Sequence, residues 1–155
     1  MNDTLSIRKE PPDQPDVVPM IEALDALMTS LYPAESNHFL DIAALSAPGV
    51  TFLVVRAGEE AVGCGAMVND PRGWGEIKRT YVRPDQRGRG IGKRVLGELE
   101  KIARDAGLRL LRLETGIRNS EALALYRRAG FTERSAFGDY APDPLSVFME
   151  KRVNS

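Results

Sequence analysis

"EIKRTYVRPDQRGRGIGKRVLGELEKIARDAGLRLLRLE", residues 76–114, holds a strand, a turn, a helix and a second strand in one run. Residues 76–82 read as a strand with polar residues on both faces. From Ile91, the apolar residues Ile91, Val95, Leu96, Leu99, Ile102 and Ala103 recur at helical spacing, and Gly107 stops the helix. "LRLLRLE" is the next strand. A strand–helix–strand of this length is a right-handed crossover between two parallel neighbours. Loops leaving the carboxyl ends of such strands lie on one side, where ligands bind. The turn "RGRGIG" (87–92) leaves one carboxyl end and Glu114 closes the other, so both are expected at the same cleft.

That turn needs a reason, because glycine loses the most backbone freedom on folding. The first turn of a helix carries unpaired N–H groups and a partial positive charge, which make it a seat for anions. Glycines let a phosphate approach the backbone. Arg83, Arg87, Arg89, Lys93 and Arg94 surround the seat, with Asp85 opposing them. A pyrophosphate fits such a place. The glycines fall at 88, 90 and 92, which matches neither the G-x-G-x-x-G dinucleotide pattern nor the Walker pattern. On spacing alone, a glycine-rich connection with solvated arginines is the alternative.

Outward from this unit the chain alternates elements without internal repeats. "TLSIRKE" makes a first strand, "PPDQPD" (11–16) breaks it, and Asp16 can cap a helix whose apolar face is Val17, Met20, Ile21, Leu24, Leu27, Met28 and Leu31. "SNHFLDIAAL" reads as a shorter helix capped by Ser36. "VTFLVVRA" and "AVGCGAMV" form a hairpin. After Glu114, a helix runs from Ser120 to Ala129, with Gly130 as its stop. "FTERSAF" and "LSVFMEKRV" are the last strands, and "GDYAPDPL" is the loop between them. The fold class is α/β (α+β): a mixed sheet of about seven strands flanked by four helices.

Composition narrows the function. A chain of 155 residues is one domain's worth, 1–155, and 43% hydrophobic with 28% charged residues is ordinary for a globular protein. A net charge of −1 gives no general attraction to nucleic acid or acidic membranes. No apolar run reaches membrane-spanning length, and "MNDTLSIRKE" lacks a signal-peptide core. The single cysteine, Cys64, flanked by glycines, reads as a small buried strand residue in a reducing, cytoplasmic setting. One Cys and one His do not make a tetrahedral metal site without several carboxylates, so no metal is expected.

Two linked stretches carry a resemblance. "YVRPDQRGRGIGKRVL" resembles the acetyl-CoA pyrophosphate loop of the GNAT superfamily of N-acetyltransferases, with Arg87, Gly90 and Gly92 meeting its Arg/Gln-x-x-Gly-x-Gly/Ala pattern. "LETGIRNSEALALYRRAGF" resembles the family's second signature, with Asn119 five residues after Glu114 and Tyr126 seven after that. The resemblance implies one N-acetyltransferase domain using acetyl-CoA. It implies that the backbone of Tyr81, Val82 and Arg83 pairs with the pantetheine arm like an extra strand. It implies that N–H groups across Arg89, Gly90, Ile91, Gly92, Lys93 and Arg94 hold the pyrophosphate, and that Asn119 contacts the cofactor near its thiol.

Acetyl transfer to an amine needs a neutral nucleophile and a protonated leaving thiol. By resemblance Tyr126 is the acid, although Leu123, Tyr126 and Ala129 share a helix face, so a core role is compatible. Glu114 is a base candidate, with pairing to Arg112 or Arg118 as its alternative. Glu76 is the rival base, further from the thiol. The family walls its acceptor side with the first two helices and the last hairpin, which offers Tyr32, Glu35, His38, Asp139 and Tyr140. A lone loop histidine is more often a cap or a surface residue.

The acceptor is expected to be the amine of a small molecule or a peptide. A protein N-terminal or lysine acetyltransferase, a non-catalytic acyl-CoA-binding regulatory module, and a nucleotide binder without CoA are the competing readings. An exposed final strand that pairs across a two-fold would give a homodimer.

Overall fold

A seven-stranded mixed sheet runs through the computed structural model, which describes residues 4–36 and 41–153. The strands are β1 (Leu5–Lys9), β2 (Val50–Ala57), β3 (Glu60–Asn69), β4 (Trp74–Val82), β5 (Leu110–Gly116), β6 (Thr132–Arg134) and β7 (Ser146–Arg152). The helices are α1 (Val18–Leu31), α2 (Ile42–Leu45), α3 (Ile91–Asp105) and α4 (Ser120–Arg128). Strand order is β1-β2-β3-β4-β5-β7-β6, antiparallel throughout except for the parallel pair β4–β5. The strand–helix–strand unit over 76–114 is therefore the crossover its pattern implies.

Each sheet face has its own core. On one, α3 and α4 place Ile91, Val95, Leu99, Leu123 and Tyr126 against Leu53, Ile77, Leu111, Leu113 and Met149. On the other, Met20 and Ile21 of α1 and Leu45 of α2 pack on Phe52, Val54, Cys64 and Ala66. Cys64 is fully buried, and burial pushes its thiol up to about 12. A third cluster, Trp74, Phe137 and Phe148, lies beneath the loop that precedes β7. Gly107 stops α3 as expected, at φ 80°. Among the described residues no helix is long and apolar enough to cross a membrane.

Several local expectations give way to tertiary contacts. Asp16 does not cap α1, whose N-cap is Val17 without a side-chain bond; Arg56 Nη1 donates to Asp16 Oδ2 at 2.6 Å instead. Ser36 lies in a 3₁₀ turn and donates to Asp143 Oδ2 at 2.7 Å, while Asp41 caps the short α2 by accepting from Ala44 N at 2.8 Å. Only Thr132–Arg134 of "FTERSAF" pair as a strand, because Phe137 turns into the aromatic cluster. The final strand is no exposed edge: β7 pairs with β5 on one side and β6 on the other, which removes the reason given for a homodimer.

Two irregularities open the sheet. Opposite β4, Cys64 pairs with Tyr81 and Ala66 with Lys78, so Arg79 and Thr80 together face Gly65. This is a bulge, and Arg79 takes φ 59°, a left-handed value uncommon for a residue with a side chain. The bulge shifts the side-chain alternation: Ile77 and Val82, five apart, pack toward the α3 side, whereas Tyr81 packs toward α1. Beyond it, β4 and β5 separate, their last paired residues being Ile77 and Leu113. A cleft passes through the gap from one face of the sheet to the other.

Candidate active site

A groove of about 850 Å³ lies between the start of α3 and the flank of α4. Gly90 is the N-cap of α3 at φ 73°, which presents the helix's first N–H groups to the groove. Arg94 N donates to Gly90 O at 3.0 Å, so the N–H groups without an intrahelical acceptor are those up to Lys93. Gly92 has a different task from Gly90. A Cβ at Gly92 would lie 2.9 Å from Leu125, so its bareness lets α4 pack close, whereas a Cβ at Gly90 would stand in open space.

The basic rim is thinner than the sequence suggests. Arg87 and Lys93 line the groove, joined by Arg128. Arg83 is held by Asp85 and Glu60, and Arg89 donates to Gln86 Oε1 at 2.6 Å; neither lines the groove. Arg87 meets Glu121, on the first turn of α4, at 2.9 Å. Along the opened edge of β4, Arg83 N donates to Val62 O at 2.9 Å, so its amide faces β3. By strand alternation Val82, between Tyr81 and Arg83, turns its N–H and C=O to the unpaired side.

Beyond the gap lies a smaller cavity of about 110 Å³. Leu24, Thr80, Asn119, Ala122 and Tyr126 line both spaces and mark the junction. Tyr126 is 7% exposed and stacks edge-on to Phe131, with ring centroids 5.8 Å apart. Burial raises its proton affinity, the Thr80 hydroxyl beside it lowers it, and the charge of Glu114 raises it again. The core role and the cleft position expected of this tyrosine coexist.

Glu114 lines the cavity and accepts from Ser146 Oγ at 2.7 Å. Its charge also raises Tyr32 and Tyr140 slightly: burial comes first in both, Arg118 lowers Tyr32, and Glu76 outweighs Glu114 at Tyr140. Arg112 and Arg118, its proposed partners, are engaged elsewhere: Arg112 Nε donates to Glu150 Oε1 at 3.0 Å, and Arg118 Nη1 to Leu31 O at 2.7 Å. Glu76 accepts from the Tyr140 hydroxyl and lies 3.2 Å from Lys78 Nζ, which also donates to Tyr140 at 2.7 Å. Tyr140 and Glu76 thus form a polar cluster one step behind the cavity, and neither lines it.

The other acceptor candidates divide. The Tyr32 hydroxyl accepts from Arg118 N at 2.9 Å, tying the end of α1 to the turn after β5. Asp139 points away, its side chain 99% exposed and 3.7 Å from Arg72. His38 and the side chain of Glu35 lie outside the described residues. Four residues that line or support the cavity carry no signal in the sequence: Lys78, Arg79, Thr80 and Ser146. Arg79 is 8% exposed and bonded to Asp25 of α1, a contact that spans 54 residues.

Gly116 shows how tightly this wall is built, since a Cβ there would overlap the Tyr32 ring and hydroxyl. Gly116→Ala is expected to cost about 1–3 kcal/mol through overpacking. For a chain of this length each kcal/mol lowers the Tm by about 2–4 °C. A thermal melt matching wild type would show that Tyr32 does not pack on this turn.

Comparison with known proteins gives one consistent answer. The family described as Acetyltransferase (GNAT) family matches residues 18–131. The chain is 51% identical over 148 residues to an IAA acetyltransferase of Azospirillum brasilense, covering 95% of this chain and 97% of that one. A crystal structure from Klebsiella pneumoniae subsp. pneumoniae, named among the acyl-CoA N-acyltransferases, superposes with a TM-score of 0.82 at 41% identity, over 97% and 98% of the two chains. The PaiA N-acetyltransferase of Thermoplasma acidophilum, solved with coenzyme A, shares the fold with a TM-score of 0.75 at 22% identity, over 96% and 99%.

Proposed function

The chain belongs to the Acetyltransferase (GNAT) family, and on that premise we propose that it acetylates the amine of a small molecule by direct attack, with Glu114 as base and Tyr126 as acid. The observation that carries this reading is the convergence of Glu114 and Tyr126 on one cavity at the end of the cofactor groove. A space of about 110 Å³ suits the end of a small acceptor better than a peptide backbone, and the relative named IAA acetyltransferase points the same way.

Acetyl-CoA is the co-substrate, and it supplies a thioester whose carbon–sulfur bond is exchanged for a carbon–nitrogen bond. The residues present fit it. The unpaired N–H groups at the start of α3 and the Arg87 and Lys93 charges suit a pyrophosphate. The open edge at Val82 suits an extended amide-bearing arm. Glu114 takes the proton that the amine must lose, and Ser146 holds that carboxylate toward the cavity. Tyr126 gives its phenolic proton to the departing sulfur, and the proton taken from the amine restores the balance. Lys78, bound to Glu76 and Tyr140, and Arg79, bound to Asp25, bring their own counter-charges to the wall.

The direct test is thiol release from acetyl-CoA across a panel of small amines, amino acids, polyamines and peptides. Turnover confined to small amines supports the reading, and turnover confined to peptides overturns its acceptor class. Cofactor binding has a test of its own. Gly90→Val forces a branched side chain into left-handed backbone and puts its Cβ into the groove, so acetyl-CoA affinity is expected to fall at least about tenfold. Arg87→Ala should weaken binding less, and less still in high salt, because Arg87 is solvent-exposed. Unchanged calorimetric affinity in folded Gly90→Val protein would remove the pyrophosphate from this turn.

A further inference from the structure

We propose that Thr80 is a positioning residue for Tyr126: its hydroxyl donates to the phenolic oxygen and stabilises the charge that appears there as the proton leaves. The inference rests on the reading of Tyr126 as the acid. It begins from an unexplained group. Thr80 Oγ1 is buried and reaches no partner in full hydrogen-bonding geometry among the described residues, although it is near enough to act on Tyr126, at the junction where cofactor groove and acceptor cavity meet. An unsatisfied buried hydroxyl is costly, and its survival in a folded site calls for a role.

The bulge accounts for where this hydroxyl points. In an unbroken strand Thr80 would share the face of Lys78, toward α1. Arg79 at φ 59°, anchored by Asp25, inserts the extra residue and turns Thr80 to the opposite face. There its Oγ1 would stand 3.8 Å from a Cβ placed on Gly65, on the side of Val95 and Tyr126. The strained residue therefore has a consequence at the site, as strain near catalytic groups often does.

The chemistry needs such a donor. When Tyr126 gives its proton to sulfur, the electron pair of the broken O–H bond stays on the phenolic oxygen, in a buried place facing the Glu114 carboxylate. Burial and that neighbouring charge both oppose the step, and the Thr80 hydroxyl is the neighbour that favours it. Reprotonation of Tyr126 returns the Thr80 hydroxyl to its resting state, with no further reactant required.

The experiment compares wild type with Thr80→Val, Thr80→Ser, Tyr126→Phe and the Thr80→Val/Tyr126→Phe double variant, reading kcat, acetyl-CoA affinity by calorimetry, and Tm. Thr80→Val should lower kcat about tenfold, the scale of one hydrogen bond to a charged oxygen. Affinity should hold, and Tm should stay level or rise, because an apolar group of the same shape replaces an unsatisfied hydroxyl. Thr80→Ser should recover most of the rate, and Thr80→Val should cost nothing further in the Tyr126→Phe background.

Wild-type turnover in Thr80→Val, with a loss in Tyr126→Phe, overturns the proposal and leaves the acid reading standing. An equal loss in both backgrounds puts the hydroxyl on the substrate and also overturns it. A falling Tm with no rescue by serine assigns Thr80 to packing alone. Wild-type turnover in Tyr126→Phe removes the acid reading and the proposal together.

Discussion

Tyr126→Phe is expected to lower turnover by about 10²–10⁴-fold while acetyl-CoA affinity stays near wild type, the scale typical for loss of a general acid. The ring remains, and with it the edge-on contact with Phe131 at 5.8 Å and the packing against Leu123. Only the hydroxyl is lost. A phenol is protonated at neutral pH, and burial shifts Tyr126 further in that direction, so the proton is present to be donated. Its proton moves only as the carbon–sulfur bond breaks, so the loss belongs in kcat and not in binding. Steady-state turnover beside calorimetry with acetyl-CoA decides the matter. Turnover within about twofold of wild type would reject the acid role, since a general acid contributes far more.

What the sequence reveals and what it hides follow from the range of the interactions involved. The seat at the start of α3 is local: glycine spacing, the apolar face from Ile91 and the stop at Gly107 all fall within a few turns. The parallel crossover follows from the same stretch. Asp16 has the right chemistry for a cap and the wrong outcome, because Arg56, 40 residues away, takes its carboxylate. "KRTYV" reads as an even strand. Its bulge comes from the pairing with β3, opposite Gly65, and from Asp25, and no glycine within the stretch itself marks it. Glu114 was legible as the strand-end acid. Its partner Ser146 was not, since only the antiparallel pairing of β5 with β7 brings that hydroxyl within 2.7 Å. Asp139 and Tyr140 are neighbours in one loop, yet Phe137 and Phe148 draw only Tyr140 inward.

The position of Glu114 on the wall of the cavity it shares with Tyr126 sets the remaining expectation. Glu114→Gln keeps the shape and can still accept from Ser146, but it no longer takes a proton from an amine. An alkyl amine with a pKa near ~10 is neutral in about one molecule per thousand at pH 7. The base matters most there, and the rate should fall by about 10²–10⁴-fold. Without the base, turnover depends on amine that is already neutral. The rate of the variant should therefore climb about tenfold per pH unit toward the amine pKa, closing on a wild-type profile that levels off earlier. Glu76→Gln is the control, since Glu76 is held by Tyr140 and Lys78 behind the cavity and its loss should leave the shape of the profile intact. Should Glu114→Gln instead give a pH–rate profile parallel to wild type, with the same maximum, Glu114 would not be the base. A changed slope in Glu76→Gln would then move that role to Glu76, with Tyr140 as the group through which the proton must pass.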